Sequence, residues 1–243
     1  VQPAVLADAV WKGRPRKLLL HADRNGFFYV LDRTNGDLLL AKAFARKISW
    51  ASGIDPKGRP IELPGNVPTP EGTPTCPDIR GAANWMSTAY NPATGLYYLM
   101  SIENCGMYRS TQFGLNVGPA AGGGRGGGAG GGRGGTLFSV PGGDPPQRFL
   151  RAIDIQTGEV VWEVEQKVPA ANYGGVLSTA GGVVFYSEST GGFAAVDAKT
   201  GHTLWHFETS QPPKASPMTY VVNGRQYVAI ASGPNIISFA LPE

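Results

Sequence analysis

Ala152-Ile-Asp-Ile-Gln-Thr-Gly-Glu-Val-Val-Trp162 reads as a strand, a tight turn and a second strand, and the pattern returns as Ala195-Val-Asp-Ala-Lys-Thr-Gly-His-Thr-Leu-Trp205. A weaker copy is Val30-Leu-Asp-Arg-Thr-Asn-Gly-Asp-Leu-Leu-Leu40. In each copy the Asp side chain accepts hydrogen bonds from turn amides and the Gly accepts a positive φ, so the pair closes a hairpin. Trp162 and Trp205 are expected to be buried docking residues between neighbouring units. The likeness reaches further back. His21 to Gly36 aligns without gaps on Tyr186 to Gly201, with Gly26 on Gly191, Phe28 on Phe193 and Asp32 on Asp197. Ser87-Thr88-Ala89 matches Ser178-Thr179-Ala180 in the same way. Repeated units of four short strands are the signature of propeller blades. The expected fold is therefore all-β, a β-propeller with four-stranded antiparallel blades.

Blade one reads as Pro3 to Phe44, blade two as Ile48 to Gln166 and blade three as Val168 to Thr209. A last unit has strands near Pro217–Val222, Gln226–Ser232 and Ile236–Leu241, without a fourth. Residues 1–243 thus read as a single partial propeller domain of about four blade equivalents. An open arc exposes apolar faces at both ends, which is unfavourable in water. A missing N-terminal half or a second copy is expected to cover them, and a start at Val1-Gln2-Pro3-Ala4, without Met, fits an upstream portion. Blade two carries two insertions. Asp55 to Arg80 is rich in Pro and Gly and reads as an ordered loop. Gly118 to Gly135 is nearly pure Gly and reads as a flexible insertion. Its Arg125 and Arg133 stand among no aromatic residues, unlike RNA-binding RGG segments.

Composition agrees with a packed domain: 42% of the 243 residues are hydrophobic and 16% charged. A formal net charge of +3 is too balanced to imply nucleic acid or an anionic membrane as partner. No run approaches the apolar length of a membrane-spanning helix. The two cysteines, Cys76 and Cys105, lie in no Cys-x-x-Cys pair, and no Cys-x-x-Cys-His marks a covalent haem. Taken alone they fit either unpaired core residues or one disulfide. His21, His202 and His206 have no metal-ligand spacing.

The run Arg16-Lys-Leu-Leu-Leu-His-Ala-Asp-Arg-Asn-Gly-Phe-Phe-Tyr-Val-Leu-Asp-Arg-Thr-Asn-Gly36 resembles a stretch of the pyrroloquinoline quinone (PQQ)-dependent alcohol and methanol dehydrogenases. It is the stretch around their quinone-contacting arginine. Gly81-Ala-Ala-Asn-Trp-Met86, Gly174-Gly-Val-Leu-Ser-Thr-Ala-Gly-Gly-Val-Val-Phe185 and Ser216-Pro-Met-Thr-Tyr220 are similar to the same family, over essentially the whole chain outside the Gly-rich tract. The resemblance implies half of an eight-bladed quinoprotein propeller. It further implies PQQ over a central channel with Ca²⁺ or a lanthanide, and hydride transfer from an alcohol or aldehyde substrate to the quinone. Electrons would leave to a separate cytochrome c, and the family's location would be periplasmic.

By this resemblance Arg24 is the catalytic and cofactor-binding cation, and its partner in the repeat, Ser189, shows that the blade itself needs no arginine there. A guanidinium donates in a planar fork and stabilises negative charge growing on a reduced quinone. A surface arginine pairing Asp23 or Asp32 is the plainer alternative. Asn84 and Trp85 align with Gly175 and Val176, so here too the repeat alone does not explain the residues. The resemblance makes Asn84 a hydrogen-bonding partner of PQQ and puts Trp85 at the pocket. Tyr173, before Gly174, stands where the family usually has a Trp against the flat cofactor. Cys76 and Cys105 fit a family disulfide bracketing Asn84-Trp85, worth roughly 3–4 kcal/mol for a loop of about 30 residues. The family's proton-abstracting Asp and its metal ligands fall upstream, so no metal ligand is assigned in this chain. The competing class is a non-catalytic propeller scaffold that carries such repeats without PQQ.

Overall fold

In a computed structural model, the described residues are 2–110, 140–141, 143–167, 174–209, 211 and 213–242. The Gly118 to Gly135 insertion and Tyr173 lie outside them. Three four-stranded antiparallel sheets and one three-stranded sheet follow one another along the chain. The first contains β1 (Val5–Trp11), β2 (Arg14–Ala22), β3 (Phe27–Asp32) and β4 (Leu38–Ala43), paired in that order. Next come two small pairs outside the blades. β5 (Ala51–Ile54) pairs β6 (Pro60–Glu62), and β7 (Thr73–Thr75) pairs β10 (Gly106–Tyr108). The region read as an ordered loop therefore contains strand pairing of its own. The second blade joins β8 (Ala89–Asn91), β9 (Leu96–Glu103), β11 (Gln147–Asp154) and β12 (Val160–Glu165). The third joins β13 (Val176–Ser178), β14 (Val183–Ser187), β15 (Gly192–Asp197) and β16 (Thr203–Glu208). The last has β17 (Met218–Val222), β18 (Arg225–Ser232) and β19 (Asn235–Phe239).

The sheets stack face to face, so the second and third strands of a blade are covered on both faces. Their sequences show it. β9, Leu-Tyr-Tyr-Leu-Met-Ser-Ile-Glu, is buried at every position but the last, and β15 is buried along its length to Ala195 and Val196. The outer strands β12 and β16 are half-buried to exposed. One core cluster lies between blades one and two, where Leu20, Phe28 and Val30 meet Tyr97, Leu99 and Ile153. A second lies between blades two and three, around Tyr98, Met100, Val184 and Tyr186. A smaller third joins Phe193 to Val228 and Ile230.

The repeated turn takes one geometry three times. Asp32, Asp154 and Asp197 each accept turn amides through Oδ1, and the amides of Gly36, Gly158 and Gly201 return to the Asp carbonyls at 2.8, 2.8 and 2.9 Å. Trp162 docks across a blade boundary: its Nε1 donates to Ala198 O at 3.1 Å and its ring lies on Gly201. Trp205 packs on Phe193 and on Phe239 of the last blade, with ring centroids 6.0 and 4.9 Å apart. Both indoles are half-buried rather than buried, because the outer strand that carries them leaves one edge in solvent. A second joint is polar. Arg151, with a side chain 1% exposed, donates to Glu103 at 2.5 Å, to Glu163 at 3.0 Å and to Phe44 O at 3.0 Å. It thereby ties the end of blade one to blade two.

Candidate functional site

Antiparallel order decides which loops share an edge of the arc. Val5 pairs Leu20, Ala22 pairs Phe28 and Phe27 pairs Ala43, so the start of β1, the β2–β3 turn and the end of β4 lie together. Arg24 sits in that turn. The segment preceding β8 reaches the same edge: Ala82 N donates to Arg24 O at 2.9 Å, and Ile102 N donates to Ala82 O at 2.8 Å. The segment preceding β13 follows, with Val176 N donating to Ser87 O at 3.0 Å. Arg24, Asn84-Trp85 and Gly174 thus come from three successive blades to one edge.

Arg24 is half-buried and makes no ion pair with Asp23 or Asp32. Asp32 is held by Arg16 at 2.7 Å, and hydrogen bonds from Thr34 together with Arg16 bring its carboxyl down to about 2. Asp23 is engaged by His21 at 3.1 Å. Burial pushes the Asp23 carboxyl up, but His21, the Asn25 amide and the Arg24 charge outweigh it, and the net direction is down. Arg24 itself turns to the loop before β8, where Nη2 donates to Ile79 O. The fit is close. Gly81, at φ +76°, lies so near that an added Cβ would stand 2.8 Å from Arg24 Cα.

Asn84 is half-buried and braces its own loop: Nδ2 donates to Arg80 O at 2.7 Å and Oδ1 accepts Trp85 N at 2.9 Å. An amide has a second donor and further lone pairs beyond these. Trp85 is 54% exposed, an unusual state for so large an apolar residue. Gly174 is buried against Ser187 and Pro213, and a Cβ there would stand 2.5 Å from Ser187 Cβ. The expected Cys76–Cys105 disulfide is present, with a sequence separation of 29, and it closes the chain that carries Asn84 and Trp85.

Three residues at this edge were not among the sequence candidates. Asp78 is buried beneath the loop and paired with Arg80 at 2.8 Å. Tyr108, half-buried, has its hydroxyl pushed up to about 12, by burial first and by Asp78 next, against the opposing pull of Arg24 and Arg80. The one sequence signal was Asp78-Ile-Arg80 standing between Cys76 and the Asn-Trp pair. Among the described residues no group of three His, Cys, Asp or Glu side chains is arranged to hold a metal ion. No described helix is long and apolar enough to cross a membrane. The arrangement offers a cation, an amide and an exposed flat indole along one edge, a set suited to a planar anion.

Comparison with known proteins gives the same direction. Residues 59–228 match the family of the glucose/ethanol/alcohol dehydrogenase β-propeller domain, designated PQQ. The quinohemoprotein alcohol dehydrogenase of Comamonas testosteroni is 38% identical over 235 residues, covering 96% of this chain and 32% of that protein. Its crystal structure superimposes with a TM-score of 0.78 over 96% of this chain and 34% of that one, at 36% identity. The lanthanide-dependent methanol dehydrogenase of Methylorubrum extorquens is 32% identical over 246 residues, 96% of this chain and 39% of that protein. The chain spans about a third of the length of the curated relatives it matches. The repeated Asp–Gly turns, the stacked blades and these matches together establish that the chain belongs to the PQQ glucose/ethanol/alcohol dehydrogenase β-propeller family.

Proposed function

We propose that this chain supplies one wall of the cofactor site in a PQQ-dependent dehydrogenase that oxidises a primary alcohol or an aldehyde. The observation that carries the reading is Arg24 lying against the Asn84-Trp85 loop, where the blade repeat alone requires none of the three. PQQ is a flat, polyanionic quinone, and the donor set fits it. Arg24 uses Nη2 on Ile79 O, and a guanidinium carries five N–H donors; Asn84 retains hydrogen-bonding capacity; Trp85 is more than half exposed. When bound, PQQ supplies the two-electron oxidant. Arg24 stabilises negative charge on an oxygen placed within its reach. Asn84 orients a polar edge through its remaining donor, and Trp85 excludes water from one face.

Relatives named as quinohemoprotein alcohol dehydrogenase and lanthanide-dependent methanol dehydrogenase support an alcohol substrate, and support Ca²⁺ or a lanthanide in the complete protein. On this reading the proton-accepting Asp and the metal ligands belong to the rest of the polypeptide. Tyr173 and Gly174 keep the cofactor-binding role that the family resemblance gives them, Tyr173 lying outside the described residues. A separate cytochrome c is the proposed electron acceptor, a reading supported by the relative named 1-butanol dehydrogenase (cytochrome c). The Cys76–Cys105 bridge supports an oxidising compartment, for which the periplasm is our reading.

The test is a PQQ titration of the full-length apoprotein, followed by alcohol oxidation with a dye acceptor. Turnover that depends on both PQQ and alcohol is expected, and Arg24→Ala lowers kcat by about 10²-fold. Unaltered turnover of R24A removes Arg24 from the mechanism. No PQQ binding by the full-length protein overturns the reading in favour of a scaffold.

A further inference from the structure

We propose that Asp78 is a positioning residue for this site, fixing Arg24 and Asn84 through two successive carbonyls of one turn. The proposal rests on the cofactor-site reading above.

The carboxylate of Asp78 is 3% exposed and is met by four donors: Arg80 N at 2.9 Å, Arg80 Nε and Nη2 at 2.8 Å each, and Asn104 Nδ2 at 2.6 Å. The three side-chain donors converge on Oδ2 and the Arg80 amide meets Oδ1, so both carboxylate oxygens are engaged. The main chain of the same residue is also held. Asp78 N donates to Asn104 O at 2.9 Å and Gly81 N returns to Asp78 O at 2.8 Å. Asn104 adjoins Cys105, and Cys76 lies two residues before Asp78, so the disulfide secures both sides of this anchor.

The next two peptide carbonyls are the ones that grip the site. Ile79 O accepts Arg24 Nη2, and Arg80 O accepts Asn84 Nδ2 at 2.7 Å. Any rotation of the turn moves both acceptors together, and Gly81 against the Arg24 backbone leaves the turn no room to shift without dragging Arg24. Asp78 has a second effect. It turns the Arg80 guanidinium onto itself, away from competition with Arg24 for the same anion. Tyr108 stands in the field of Asp78, Arg24 and Arg80, which places all three in one neighbourhood.

The experiment uses the full-length protein. Asp78→Asn keeps the shape but replaces one acceptor oxygen by a donor that faces Arg80 or Asn104. Circular dichroism and thiol titration check folding and the disulfide. The expected result is about a tenfold rise in the PQQ dissociation constant and about a tenfold fall in kcat, with KM for the alcohol within twofold. Added to Arg24→Ala/Asn84→Ala, D78N changes the PQQ dissociation constant less than twofold, because both positioned side chains are gone. A merely structural role weakens both backgrounds alike, and that result overturns the proposal, as does a folded D78N with parental affinity and turnover. If D78N does not fold, Asn104→Ala, which removes one donor and keeps the Arg80 pair, is read the same way with about a threefold effect. A parent that binds no PQQ overturns the cofactor reading itself. A parent that binds PQQ beside an unaffected D78N overturns only the positioning role.

Discussion

Single glycines report how much of the turn geometry is local and how much belongs to the joint. Gly36 and Gly201 close the same turn with φ of +83° and +73°. Nothing lies within 4 Å of a Cβ added at Gly36, whereas one at Gly201 would meet the Trp162 ring at 2.6 Å. Gly36→Ala is therefore expected to cost only the left-handed conformation, about 1–2 kcal/mol. Gly201→Ala adds displacement of the indole and is expected to cost about 2–5 kcal/mol. Urea unfolding of the two variants checks the difference, and equal losses would falsify the docking role of Trp162. The residue scale also shows what the sequence could disclose. Arg24, Asn84 and Trp85 were legible because they break a repeat whose other copies carry Ser189, Gly175 and Val176. Asp78 and Tyr108 were not, since no second copy of their loop exists in the chain for comparison. Their roles arise only when the loop folds back onto Arg24.

At the scale of elements, β9, β11 and β12 share one buried polar joint around Arg151. Removing one member of such a network strands the others, so Arg151→Ala is expected to cost about 3–5 kcal/mol by denaturant midpoint. Arg151→Met, which fills the volume, loses the same hydrogen bonds with a smaller cavity. Glu163 gives the joint a pH dependence. Burial raises its carboxyl, yet hydrogen bonds and charges from Arg151 and Arg46 bring it below the ordinary 4.5. Its folded-state value being depressed, Glu163 stabilises the fold above that ordinary value and loses its contribution as acid protonates it in place. Between pH 6 and pH 3, Glu163→Gln should flatten the fall in urea midpoint, and an unchanged slope counts against the assignment. The neighbouring disulfide acts on the unfolded chain instead: Cys76→Ser/Cys105→Ser is expected to lower stability by roughly 3 kcal/mol at any pH in that range. The four sheets were legible from turn spacing. The β5–β6 and β7–β10 pairs were hidden by Pro and Gly, which usually signal irregular chain.

At the largest scale, cohesion is between neighbours: among the described residues each core cluster joins one blade to the next, and none spans three. Among the described residues no further blade packs on the two end faces. Leu6 and Val10 are 62% and 60% exposed at one end, and Ile236 and Leu241 are 80% and 84% exposed at the other. Isolated, the chain is expected to associate with rising concentration, as sedimentation velocity reports, and Val10→Lys with Ile236→Lys should reduce it. Trp162 and Gly201 also bear on how such arrays grow. The indole belongs to one blade and the glycine that receives it to the next, as Leu40 and Lys42 of the first blade lie over Gly158 of the second. The unit that must be inherited intact is therefore offset from the blade. A gene duplication cut at blade boundaries separates every such partnership and succeeds only if the copied neighbour offers the same small residue. The persistence of Asp-x-x-Thr-Gly in adjoining blades is then a condition for recombination, quite apart from closing a turn.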